Sequence, residues 1–213
     1  MPAKMNRTLS LAMLTIIASS GLAQSTPDIA TLYERFIQPS DTNAAAPEIL
    51  EMAKNDSAAR DYLAGKLPSV IVDRLPRDAR SVGPIWANAV RLSGQLKIAA
   101  AVPALKQALT PETQFIRKGY DIRPSDDGYT MGRGTRLDFD IVGRALADIG
   151  DPSVPVLADI LSKGGFRERN RAIWILWNIN SPAAQKAMRD HVPSESDGGL
   201  RLEIERLLLH EPE

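Results

Sequence analysis

The sequence predicts an all-α fold, an α-solenoid of stacked antiparallel helical hairpins carrying one inserted loop, on three observations. The first is an internal echo: Arg144-Ala145-Leu146-Ala147-Asp148-Ile149-Gly150-Asp151-Pro152 is answered thirty residues later by Trp174-Ile175-Leu176-Trp177-Asn178-Ile179-Asn180-Ser181-Pro182. A period of that order, with a helical pattern on either side of a Gly-Asp-Pro turn, marks an array in which each hairpin buries its apolar face against the next. The second is the recurrence of apolar residues at helical spacing along most of the chain. The third is composition: 44% of residues are hydrophobic but only 5% are aromatic, and alanine and leucine dominate, which favours closely packed helices over a β-sandwich.

With 213 residues there is ample material for a continuous core, which argues against disorder of the whole. The formal net charge is +0, so no global field draws the chain to nucleic acid or to an anionic membrane. The absence of cysteine removes disulfides, thiol catalysis and thiolate metal sites. Only His191 and His210 could supply imidazole chemistry, and each sits near the end of a helical pattern, where a cation is favourable without any function.

Residues 1–23 read as an export signal. Lys4 and Arg7 form a basic n-region, Leu9 to Ala18 an apolar h-region, and Gly21-Leu22-Ala23 a small-x-small cleavage site. The apolar run falls short of the roughly 20 residues that span a bilayer. The expected product, cut after Ala23, is a near-neutral periplasmic or secreted protein with no stable membrane insertion. It carries no cysteine at the cut for a lipoprotein anchor.

The N-terminal part, residues 24–77, is expected to form two degenerate hairpins. Thr26-Pro27-Asp28 supplies an N-cap, a proline at the first helical position and an acid in the first turn, and Ile29, Leu32, Tyr33 and Phe36 supply the apolar stripe of a helix that ends before Pro39. Residues 40–46 read as a polar linker, after which Pro47 opens a short helix with Ile49, Leu50 and Ala53. Asn55-Asp56-Ser57 breaks and recaps the chain, and a helix with Ala59, Tyr62, Leu63 and Leu67 runs to Pro68, followed by a short turn to Leu75.

From Asp78 the periodicity strengthens. Val82, Ile85, Trp86 and Ala89 keep helical spacing up to Gly94, with Pro84 in the first turn, and the next helix holds Val102, Leu105 and Leu109 before Thr110-Pro111 ends it. A final helix over 199–210 buries Leu200, Ile204, Leu207 and Leu208. Arg201, Glu203, Glu205 and Arg206 give it the polar outer face of a terminal cap.

Asp148-Ile149-Gly150-Asp151-Pro152 followed by Val154-Pro155-Val156-Leu157 resembles the HEAT-like repeats, whose first helix ends in an Ala-x-x-Ile-Gly-Asp-Pro type turn and whose second carries Val-Pro-x-Leu. Val102-Pro103-Ala104-Leu105 matches the second half, and Arg167 to Ala172 resembles the lead-in to a first helix. The resemblance is fullest over 139–190, extends to 79–110, and is loosest over 27–75; residues 78–213 form the expected repeat region. It implies a non-enzymatic scaffold that binds another protein, with no cofactor, no metal and no nucleic-acid partner. Pro103 and Pro155 stand 52 residues apart rather than about thirty. The excess is the inserted loop, 111–137, and insertions in such arrays gather on one face and often meet partners.

Candidate partner-binding residues follow from the places where the two copies of the repeat differ and from the insertion. On a helical wheel Ala172, Ile175, Leu176 and Ile179 share one face, matching Ala145, Leu146 and Ile149, while Trp174 points the other way with Trp177 and Ile173 at its flank. Arg144, the counterpart of Trp174, is expected near enough to stack on it, and this Arg144, Trp174 and Trp177 patch is expected on a concave face. Tyr120, Tyr129, Arg133 and Arg136 form its expected rim. Asp121, Asp126 and Asp127 lack the alternating ligands of a calcium loop and read as Asx turns. Gly132-Arg133-Gly134 could cradle an anion but follows no strand. No motif designates a nucleophile. The alternative of an enzyme or enzyme accessory rests on the likeness of some HEAT-like proteins to chromophore lyase subunits or base-excision glycosylases. A small-ligand or cell-wall binding module would instead place a pocket at the insertion.

Overall fold

Short-range capping chemistry sets where the helices begin. In the computed structural model, which describes residues 28–77, 81–110 and 140–209, Asp28 accepts from the Thr31 N–H at 2.7 Å, Asp56 from Ala58 at 2.8 Å, and Asp140 from Gly143 at 2.7 Å. Ser181 and Asp197 do the same for Ala184 and Leu200. The described residues are all-helical, with α1 (Ile29–Phe36), α2 (Thr42–Asn55), α3 (Ser57–Asp73), α4 (Pro84–Gln95), α5 (Val102–Gln107), α6 (Ile141–Ile149), α7 (Val154–Lys163), α8 (Phe166–Ile179), α9 (Pro182–His191) and α10 (Gly198–Leu208). None of them is long and apolar enough to cross a membrane. The expected export signal, the insertion with Tyr120, Tyr129, Arg133 and Arg136, and His210 lie outside the described residues.

Two rows of helices share one core. In the first row α2 packs on α4, α4 on α6, α6 on α8, and α10 closes against α8; in the second α3 packs on α5, α5 on α7, and α7 on α9. Trp86 fixes the rows to each other at the N-terminal end, because its buried indole N–H donates to the Ile71 carbonyl at 3.1 Å.

The sequence echo has a backbone counterpart. α6 ends on Gly150 at φ +83° and α8 on Asn180 at φ +50°, both in the left-handed half of the map. At Gly150 ψ is −138°, a combination open to glycine alone. The two Val-Pro pairs likewise open α5 and α7, each after a 3-10 turn, Ala99–Ala101 and Asp151–Ser153.

Small residues bring α4 and α6 together. A Cβ built on Gly94 would stand 2.7 Å from the Ala145 Cα, so the two backbones nearly touch. The insertion therefore leaves the stacking across it intact. Gly94→Ala must push α4 off α6, and we expect a loss of about 1–3 kcal/mol, read as a lower urea midpoint at unchanged m-value. An unchanged midpoint would show that the contact relaxes freely.

Three local expectations are corrected. Residues 42–46 belong to α2, which runs through Pro47, and α3 runs through Pro68 to Asp73 instead of stopping there. A proline inside a helix costs about 3 kcal/mol. Here Ala45, Ile49 and Ala53 on α2, and Leu63, Leu67 and Ile71 on α3, are fully buried on both sides of the prolines, and that burial outweighs the lost bond. The outer face of α10 is also less polar than expected, since Leu202 is 67% and Leu209 81% exposed.

Candidate functional site

The face predicted to bind lies on α8. Ala172, Ile173, Ile175 and Leu176 are fully buried, whereas Trp174 and Trp177 are half-buried and still pack against the edge of the core. Their rings meet edge-to-face, with centroids 5.4 Å apart at 82°. This geometry suits the ring quadrupoles and fixes the pair as one unit. Asn178 donates its side-chain amide to the Trp174 carbonyl at 2.8 Å, holding the last turn of the helix. Ile173, expected at the flank of the patch, belongs to the core.

Arg144 does not stack on Trp174 as expected; it turns along its own helix to Asp148, with Nε 3.2 Å from the carboxylate. The i,i+4 spacing makes that pairing local and inexpensive in entropy. The exposed charges of α6 and the tryptophans of α8 still occupy neighbouring helices.

Beneath this face is a buried ion pair that the sequence reading missed. Arg171, 5% exposed, donates Nε and Nη2 to the two oxygens of Asp140, 4% exposed, at 2.5 and 2.6 Å. Its Nη1 donates to the Thr110 carbonyl at 2.8 Å. Asp140 also caps α6, so one carboxylate starts a helix and neutralises a buried guanidinium. Thr110 and Asp140 border the undescribed stretch 111–139, and Arg171 ties both borders to α8.

A second buried cluster joins the start of α8 to the end of α9. Glu195, whose side chain is wholly buried, takes a bidentate contact from Arg169 at 2.9 Å on each oxygen, the Asp197 N–H at 2.8 Å, and His191 Nε2 at 2.9 Å. Burial pushes the Glu195 carboxyl up, but Arg169, the Asp197 N–H and His191 together overcome this and hold it at about 2. Ser194 Oγ lies 3.3 Å from His191 Nδ1, which lines up a hydroxyl, an imidazole and a carboxylate. The hydroxyl, however, donates to the His191 carbonyl at 2.9 Å, the geometry of a helix end. This cluster also gives His191 a buried carboxylate partner beyond the helix-end position expected of it.

One cleft of about 210 Å³ opens between α5, α7 and the start of α8, lined by Lys106, Leu109, Asp159, Ile160, Lys163 and Glu168. Hydrogen bonds from Lys106 and Lys163, at 2.8 and 2.6 Å, hold the Asp159 carboxyl down at about 2. The lysines are thus already satisfied by a carboxylate of the chain itself. The tryptophans do not line this cleft, and no cluster of three or more metal-ligating side chains occurs among the described residues. Compared with family models, curated proteins and solved structures, the chain matches none.

Proposed function

We propose that this protein is an exported HEAT-like α-solenoid that acts as a non-enzymatic scaffold, holding another protein through a concave face that includes the exposed residues of α6 and α8 and through its inserted loop. The observation that carries this reading is the half-buried, edge-to-face Trp174–Trp177 pair on α8, in contrast to Trp86, which is 1% exposed. Tryptophan and arginine are the residue types that concentrate binding energy at protein interfaces, and an edge-to-face pair is already ordered before it binds. The two-row packing and the matching Val-Pro turns support the repeat reading. The three-part pattern of residues 1–23 supports export to the periplasm or beyond.

Affinity purification from the exported fraction tests this function. Trp174→Ala and Trp177→Ala are each expected to lose partner recovery by roughly thirty-fold, the loss of about 2 kcal/mol that defines a hot spot. Arg133→Ala in the insertion is expected to weaken it less, and circular dichroism should show all three variants folded. If Trp174→Ala and Arg133→Ala both leave recovery unchanged, the surface is the wrong one. Mass spectrometry of the exported chain should find Gln24 as its first residue.

A further inference from the structure

The end of the second buried cluster leads into α10, whose buried face is apolar and whose exposed face sets leucine among charged residues. Leu200, Ile204 and Leu207 are buried against the body of the protein. Leu202 and Leu209, 67% and 81% exposed, are seven residues apart. Leu209 is the C-cap of α10 and keeps right-handed backbone angles; continued at 3.6 residues per turn, the helix puts the two within about 20° of each other on the side away from the buried stripe. Isolated exposed leucines need no explanation. Two on one line with heptad spacing, on the helix that closes the row of α2, α4, α6 and α8, form the seam of a two-helix contact.

Charge identifies the occupant. Glu205 and Arg206 lie midway between the leucines and flank the line on opposite sides, roughly 50° to either side of it. We propose that the outer face of α10 pairs with the same face of a second copy, the two helices parallel about a two-fold axis along their length. Leu202 then meets Leu202 of the second copy and Leu209 meets Leu209. The same rotation carries Arg206 of each copy to the side occupied by Glu205 of the other, so two opposite-charge pairs border the seam. An antiparallel pairing would set Glu205 against Glu205 and Arg206 against Arg206, which disfavours it. Arg206 donates Nε and Nη2 to Glu203 of its own helix at 3.0 and 3.1 Å, so Glu205 of the second copy would be met by Nη1. The apolar surface involved is smaller than that of a stable interface, which buries about 1,200 Å² or more, so the dimer is weak and exchanges with monomer.

Sedimentation equilibrium of the purified chain over roughly 1 μM to 1 mM tests the pairing. The weight-average mass should rise toward twice the monomer mass, and Leu202→Asp or Leu209→Asp should abolish the rise. Both leucines are exposed, so these variants should fold normally. The charged residues distinguish this arrangement from any other. Glu205→Arg alone and Arg206→Glu alone should each stay monomeric, because their homodimers oppose like charges. An equimolar mixture of the two should dimerise again, because each then supplies the other's complement. A wild-type mass that stays monomeric, a rise that survives Leu202→Asp, or a mixture that fails to dimerise would each overturn the proposal.

Discussion

Arg171→Met is expected to lower the unfolding free energy by about 3–5 kcal/mol, the usual cost of removing one partner from a buried ion pair. The loss arises from what stays behind. Asp140, 4% exposed, is left buried without its charged partner, and the Thr110 carbonyl loses a charged donor. Arg171→Lys should recover only part, because one ammonium cannot reproduce the fork that reaches both Asp140 oxygens and Thr110 at once. Adding Asp140→Asn to Arg171→Met should also recover part, since the amide oxygen can still cap Gly143 and no charge remains buried. Chemical denaturation of the three variants and the parent, treated as a double-mutant cycle, measures the coupling. A loss below about 1 kcal/mol for Arg171→Met would mean that the pair is solvated or replaceable.

Arg169→Ala should cost a comparable amount and, in addition, move the acid limit of the fold. In the parent, the folded Glu195 carboxyl sits at about 2, below its ordinary 4.5. Its contribution is therefore fully present above pH 4.5 and is lost as the pH falls from there towards 2. Without Arg169 the burial that pushes the carboxyl up is opposed only by the Asp197 N–H and His191. The variant should begin to lose stability at a higher pH than the parent. Asp159, also held at about 2, contributes with the same sign in both proteins, so the difference between their stability–pH curves isolates Glu195. Parallel curves would show that Arg169 does not hold the carboxylate.

Helices were legible wherever the signal was local. Asp56 caps α3 where Asn55-Asp56-Ser57 implies a recapped chain, and Ile85, Trp86 and Ala89 of α4 and Ala145, Leu146 and Ile149 of α6 are buried as their spacing implies, whereas Asp28, expected in the first turn of α1, is its N-cap. Pro47 and Pro68 misled because a proline speaks for its own turn, while the burial that overrides it comes from neighbouring helices. The ion pairs were not legible: Arg171 finds Asp140 across 31 residues and Arg169 finds Glu195 across 26. A faint signal existed, since Arg171 directly precedes the core residues Ala172 and Ile173, and a charge entering an apolar helix needs a partner. The tryptophans were found because they break the echo, yet Arg144 was misplaced because a carboxylate four residues on competes better for it than a ring on the next helix.

The grip of Arg171 on Thr110 and Asp140 fastens both borders of the stretch 111–139 to one helix. Because the two ends are fastened to α8, and doubling a loop's length adds only about 0.6 kcal/mol of closure entropy, the stretch between them is a natural cloning site. A different sequence, or a much longer one, could be spliced in there while the stacked helices on either side kept their register.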